Sequence, residues 1–352
     1  MPAADLRLAV DIAAWWTTAV YESAGTLRPV FFDGQARLPS GVYQNPDTRA
    51  LTIGTPALAA SAELAEGYRP DPMTLLHTGT PAPDARFDPV AALAALLAHV
   101  AEAATAQARA RVTELIVVTA RRWGPSARQR LDRAATGAGL PTPEIVTVAA
   151  AAAVLAGAAP AGPFITVCTT GEATPELTVV DAAHGYRQLA TAPVRDPGSP
   201  TVDEALIRLA AERASPGTDP AAALDDWRVA REIQQARTAL AVQPVVPTLL
   251  PEPHPAVVLT REDLTAATAT HLSRLDEAVK RLLADAALAR GDIGPVVLVG
   301  DDGALPAVEA GLSAGGLLPA VTIRDPHAIV TGALRLGPPT GRPWRAWPWR
   351  RR

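Results

Sequence analysis

The apolar residues of this chain fall into short buried runs and longer helical stretches, and the order of these repeats once along the chain. Residues 6–12 form an apolar run that predicts a buried strand, with Asp11 at its end, and 17–23 predict a second strand across a tight turn. Shorter runs bounded by Gly or Pro predict strands at 28–33, 41–43 and 50–53. The alanine-rich stretch 88–110 predicts a long helix, the β-branched run 115–119 a strand, and 126–138, closed by Gly139, a helix with arginines on its polar face. In the second half, 164–167 and 177–180 read as paired strands, 202–213 and 225–241 as helices, and a Pro-rich strand region extends to Leu259. Thr260 and Asp263 have capping-box spacing, which starts a helix expected to run to about Ala289. A strand at 295–299 and helices at 306–312 and 328–334 complete the pattern. Each half opens on a strand pair and closes on a strand followed by a helix. This predicts an α/β fold of two similar lobes, 1–160 and 161–336, with a tail 337–352 that has no periodicity.

Composition changes this picture in three places. At 352 residues and 48% hydrophobic, the chain is long enough for two cores. A net charge of −4 offers no basic field for nucleic acid, so none is expected as a partner. The cations are almost all arginine, and Lys280 is the only lysine. One cysteine, Cys168, rules out an intramolecular disulfide and fits a reducing compartment. The first residues lack a basic segment followed by an apolar core, so no signal peptide is expected and a cytoplasmic location is. The uncharged stretch 145–168 has the length of a membrane span. It is mostly alanine, a weak driver of insertion, and Pro160, Gly162 and Pro163 interrupt it, so it reads as a strand end, a helix and a turn into the next strand.

Several motifs, in order, resemble the heat-shock 70 chaperone ATPase domain. Leu8-Ala9-Val10-Asp11-Ile12-Ala13-Ala14 stands where that family has its first phosphate hairpin, and Leu38-Pro39-Ser40-Gly41-Val42 resembles its Thr-Pro-Ser strand. Ile116 to Ala120, then Arg128-Gln129-Arg130 and Ala138-Gly139-Leu140, resemble its strand, Gln-Arg helix and Ala-Gly-Leu ending; Ala151-Ala152-Ala153 with Gly157 is similar to its alanine-rich helix. Gly198-Ser199-Pro200-Thr201-Val202-Asp203, Val296 to Gly300 with Pro306, and Asp325 to Ala333 are similar to its three remaining signatures. The matches run from about residue 6 to 335. The resemblance implies an actin-like ATPase fold of two lobes around a cleft, in which Asp11, residues 169–174 and Gly300 converge. No segment resembling that family's substrate-binding domain follows, so none is expected.

The same alignment implies a degraded nucleotide site. In the family, glycines let backbone amides approach phosphates, an acid holds metal-bound water and a lysine steadies the γ-phosphate. Here Asp11 remains and is the one candidate metal residue, but Ala13 replaces the hairpin glycine, and Trp15 and Trp16 stand for Thr and Asn. The two indoles are expected to crowd the phosphates and fill the cleft. The second hairpin reads Thr169-Thr170-Gly171-Glu172-Ala173-Thr174, so its Asp is gone and one glycine of three survives. Thr147-Val148-Ala149 lacks the family's water-positioning Glu, and Met73 to His77 occupies the lysine-bearing stretch without a lysine. Gln234, Arg237 and Ala241 stand for the family's Glu, Lys and Ser around the adenosine. The resemblance therefore nominates Asp11, Gly171, Thr174, Gly198, Gln234, Arg237 and Gly300 as a degenerate nucleotide site, with no catalytic residue and either no cofactor or weakly held ATP and magnesium. Asp301-Asp302 reads as a solvated turn in preference to a metal pair. The six histidines lack metal-ligand spacing, and no Gly-x-Ser-x-Gly or lysine-bearing P-loop is present.

The tail differs from the body. Residues 341–352 hold five arginines and three tryptophans, and Pro343 and Pro348 exclude a regular helix. Trp344, Arg345, Trp347, Trp349 and Arg350 are expected to dock this segment, in an extended form, on an anionic membrane surface or an acidic partner. The leading expectation is a pseudo-ATPase scaffold or regulator in a protein complex, peripheral to the inner face of the membrane. Degenerate, Ala/Pro/Arg-rich relatives resemble actinobacterial proteins of type VII secretion loci. The alternatives are an active ATP-driven chaperone-like switch and a small-molecule kinase of the same superfamily.

Overall fold

The computed structural model describes residues 5–79, 87–120, 123–156, 163–170, 175–195, 199–217, 220–252, 254–293, 296–300 and 304–336. The first half contains β1 (Asp5–Ile12), β2 (Trp16–Ser23), β3 (Thr26–Pro29), β4 (Leu38–Pro39), β5 (Val42–Gln44) and β6 (Leu51–Ile53), then α1 (Thr55–Glu63), β7 (Tyr68–Arg69), α2 (Pro72–Thr78), α3 (Pro89–Ala108), β8 (Arg111–Thr119), α4 (Pro125–Gly137), β9 (Glu144–Thr147) and α5 (Val148–Leu155). The second contains β10 (Phe164–Thr169), β11 (Glu176–Asp181), β12 (Arg187–Pro193), α6 (Val202–Ala214), α7 (Ala221–Asp225), α8 (Trp227–Ala239), β13 (Val245–Thr248), β14 (Val257–Thr260), α9 (Arg261–Leu272), α10 (Leu275–Ala286), β15 (Val296–Val299), α11 (Leu305–Ala314), β16 (Pro319–Ile323) and α12 (Ala328–Leu336).

The two halves share one topology. The first main sheet runs β3-β2-β1-β8-β9 and the second β12-β11-β10-β15-β16. In each, three antiparallel strands meet two further parallel ones at the first strand of the half. This is the mixed α/β architecture of two similar lobes that the apolar pattern predicted. A small sheet, β6-β5-β7, accompanies the first lobe and a two-stranded one, β13-β14, the second.

Both faces of the first sheet are covered, which explains why β1 and β8 are apolar almost throughout. Leu6, Leu8 and Val10 pack with Leu93, Leu96, Leu97 and Leu131 of α3 and α4, while Ala9, Val20, Ile116 and Val118 face the alanines of α5 and Val330 and Ala333 of α12. Helix α3 is apolar and long enough to cross a membrane, but its buried stripe packs on this sheet. The α5–α12 layer also contacts Ile165, Val167, Val180 and Val297 of the second sheet, so one pair of small-residue helices lies between the two sheets. The alanine run of α5 permits this closeness, and so does Gly332, where a Cβ would lie 2.2 Å from the Ala151 carbonyl oxygen. Arg7 anchors α12 from the sheet side, donating to the Leu334 carbonyl at 3.2 Å while pairing with Glu22 and Glu114.

Three expectations are corrected. The helix from Thr260 does not continue to Ala289; it stops at Leu272 and restarts at Leu275, because α9 buries Leu264 beside α6 and α8 while α10 buries Leu275, Val279 and Leu282 under the second sheet. The helix expected at 225–241 starts at Trp227, with Asp226 extended and accepting from Arg228 N as its cap. The strand expected at 28–33 ends at Pro29, since Asp33 takes a positive φ in a turn bridged by Phe32 and Gln35. Helices α1 and α2 and the edge strands β12 and β16 were not anticipated.

Candidate functional site

The carboxyl ends of the parallel strands of both sheets open onto one cleft of about 630 Å³. That edge is where open α/β sheets place ligands, because the chain leaves each strand there as a loop. From the first sheet, Asp11 ends β1 in register with Thr18 of β2 and Val118 of β8, and all three line the cleft. The β1–β2 turn is closed by Ala13 N donating to the Trp16 carbonyl at 3.1 Å. From the second sheet, Thr169, Thr170, Val299 and Gly300 form the opposite wall. Thr170 N donates to the Val299 carbonyl at 2.9 Å and Gly300 N to the Ile323 carbonyl at 3.1 Å. A Cβ on Gly300 would lie 1.9 Å from Thr170 Oγ1, so this position requires glycine for space, with no positive φ involved. Asp11 and Thr169 to Thr170 therefore meet Gly300 across one cleft, as expected; residues 171–174 lie outside the described residues.

Helix α8 supplies Gln234 and Arg237 to the same space. Arg237 is 5% exposed and its Nη1 lies 3.1 Å from Asp203 Oδ1, so much of its charge is engaged by the first turn of α6. Gln234 Nε2 donates to Thr238 Oγ1 at 3.2 Å. Helix α2 contributes Met73, Thr74 and His77, from the stretch that resembles the family's lysine-bearing segment. His77 lies against Trp123 with ring centroids 5.2 Å apart, and its Nδ1 is sealed from solvent without a hydrogen-bond partner among the described residues. Arg130 donates to the His77 carbonyl at 2.7 Å and also caps Leu76, holding the end of α2 against α4. Lys280 is exposed on α10 and pairs with Glu277 at 2.8 Å, away from the cleft.

The expected filling of the cleft by indoles is corrected. Trp15 and Trp16 are half-buried and line the rim, but the volume behind them stays open. The Trp15 carbonyl accepts from Ser40 N at 3.1 Å, and both indoles border a gap with Pro39, Leu58, Tyr68, Arg231, Gln234 and Gln235. That gap is about 10 Å³, at or below what one water needs, so the rings are packed there and not across the cleft.

Of the nominated residues, Asp11, Gln234, Arg237 and Gly300 are brought together. Gly171, Thr174 and Gly198 lie outside the described residues, as do Asp301 and Asp302 and the tail positions Trp344, Arg345, Trp347, Trp349 and Arg350. Arg37, Arg195, Arg324 and Asp325 also line the cleft and were missed. They lie in connections between elements, where periodicity carries no signal; for Arg195, Arg324 and Asp325, a place just beyond a strand end was the only available cue.

Compared with known protein families, the chain matches Hsp70 protein over residues 73–334. A search of curated proteins found no significant match. The match covers well over half of the chain and includes both the α2 wall of the cleft and the strand ends of the second sheet: the chain belongs to the Hsp70 protein family, with that family's nucleotide-binding, actin-like ATPase fold.

Proposed function

We propose that the cleft binds a nucleotide while hydrolysis there is absent or near background, so that the chain acts as a scaffold or regulator in a protein complex. The observation that carries this reading is the make-up of the cleft. Asp11, Thr169, Thr170 and Gly300 surround an open volume of ligand size, yet the chain's only lysine is exposed on α10. A cationic group over the γ-phosphate stabilises charge that develops in the transition state, and removing one such group typically costs ~10²–10³ in rate.

The residues present fit magnesium only alongside a nucleotide. No group of three His, Cys, Asp or Glu that could hold a metal exists among the described residues. Magnesium commonly takes one or two carboxylates plus substrate phosphates and water, a role open to Asp11 at the strand end.

The test uses purified full-length protein with ATP and magnesium, measuring binding by calorimetry and phosphate release in parallel. Binding with release near background is expected. Turnover comparable to an ordinary chaperone ATPase, abolished by Asp11→Asn, overturns this reading in favour of an active ATP-driven switch, which the open cleft and Asp11 favour.

A place at the inner face of the membrane, in a type VII secretion complex of an actinobacterium, extends the proposal. Its support is the Ala/Pro/Arg-rich composition and the Arg/Trp tail.

A further inference from the structure

We propose that Arg195 and Arg324, one beyond each edge strand of the second sheet, hold the phosphate groups of the ligand in the cleft. The last paired row of that sheet runs Pro193, Glu176, Thr169, Val299, Ile323 across its five strands, and all five residues line the cleft. Arg195 lies two residues past this row on the β12 side, and Arg324 one residue past it on the β16 side. Both line the cleft. At ~4.8 Å per strand the two edges are ~19 Å apart, a span that two long side chains reaching inward narrow to the length of a phosphate chain. Between them Thr170 and Gly300 form the floor, where the Thr170 hydroxyl fills the space that a Gly300 side chain would take.

The states of three cleft arginines support this pair. Arg237 is engaged by Asp203. Arg195 is half-buried, and Nη1 donates to the Ser199 carbonyl at 2.8 Å, which orients its planar fork. Arg324 is exposed and makes no hydrogen bond or ion pair with the described residues, while its neighbour Asp325 accepts from His327 N at 2.9 Å within its own turn. Asp11 and Glu176 face the same space. Phosphates there would be repelled unless cations offset those carboxylates. Guanidinium groups bind phosphate bidentately and remain charged at any working pH, so they serve where a lysine is missing.

The proposal rests on nucleotide binding in the cleft, and its test separates the two. Full-length protein and the variants Arg195→Ala, Arg324→Ala and Arg324→Lys are titrated with ATP, adenosine and tripolyphosphate. Each alanine variant is expected to weaken ATP and tripolyphosphate by about 10–100-fold and to leave adenosine unchanged, with Arg324→Lys recovering only part. Arg324 is exposed, so its variants keep the fold even if Arg195→Ala does not. Equal ATP affinity in wild type and both alanine variants overturns the arginine assignment and leaves the nucleotide reading standing. So does an equal loss for adenosine, which marks a structural role. Wild-type protein that binds none of the three overturns both.

Discussion

A Cβ at Gly300 would sit 1.9 Å from Thr170 Oγ1, and Thr170 is itself buried with its hydroxyl 3.3 Å from the Val299 carbonyl. Gly300→Ala is therefore an overpacking substitution at the cleft floor. It is expected to cost about 1–3 kcal/mol in denaturant unfolding, and Thr170→Ala in the same background is expected to recover most of that. A loss that the second substitution leaves untouched would place the strain elsewhere. Cys168, two residues before Thr170, illustrates the opposite environment. Burial, with a smaller contribution from Glu176, pushes its thiol up to about 12, so it stays protonated as a core residue. Asp11 and Gly300 were legible in the sequence because the motifs around them resemble those of the heat-shock 70 family. Arg195 and Arg324 were not, because which strand ends become neighbours is a matter of pairing between distant segments.

Among the elements, the start of α9 is specified locally. Thr260 Oγ1 accepts from Asp263 N at 3.2 Å, and Asp263 accepts in return from Thr260 N at 2.8 Å. The spacing alone showed this, since a capping box needs only neighbouring residues. The fold adds Arg213 of α6, which donates to both carboxylate oxygens of Asp263 at 2.7 Å and holds its pKa below the usual carboxylate range. A lowered carboxylate pKa stabilises the folded state above the unfolded value of ~3.9, and the contribution is lost as pH falls through the folded value. Asp263→Asn is expected to cost about 1–2 kcal/mol at pH 7, with the cap contributing most and the half-exposed arginine less. The gap to wild type should begin to narrow as pH falls below about 4 in a pH series of unfolding midpoints; a constant gap would show that the carboxylate charge is irrelevant. The end of α9 was not legible, because apolar periodicity continues through Ser273 while the chain turns from one core to another.

Across the molecule, the two halves are held at two levels. Helices α5 and α12 pack between the main sheets, with Gly332 against Ala151. At the rim, Trp227 of α8 meets Tyr68 of the small sheet with ring centroids 4.5 Å apart and donates to the Ala65 carbonyl at 3.3 Å. Burial raises the Tyr68 phenol to about 12, so this contact carries no charge at neutral pH. The tail is the electrostatic outlier: without its five arginines the chain would carry −9. Binding of the full chain to anionic vesicles is expected, and a version ending at Pro339 should lose it. Each arginine near the surface contributes ~1 kcal/mol, and salt should weaken the binding. Equal sedimentation of both versions with the vesicles would show that the tail docks nothing.

The linear chain was enough to establish the α/β class, the repeated order of elements, the capping box at Thr260 and the lack of lysine near the expected cleft. Each of these follows from local periodicity, neighbouring hydrogen bonds or simple composition. Folding in three dimensions determined the rest: that the cleft stays open with its indoles packed at the rim, that Arg237 is engaged by Asp203, and that Arg195 and Arg324 flank one floor. Those outcomes depend on contacts between segments far apart in the chain, where packing space and charge pairing act without leaving a periodic trace.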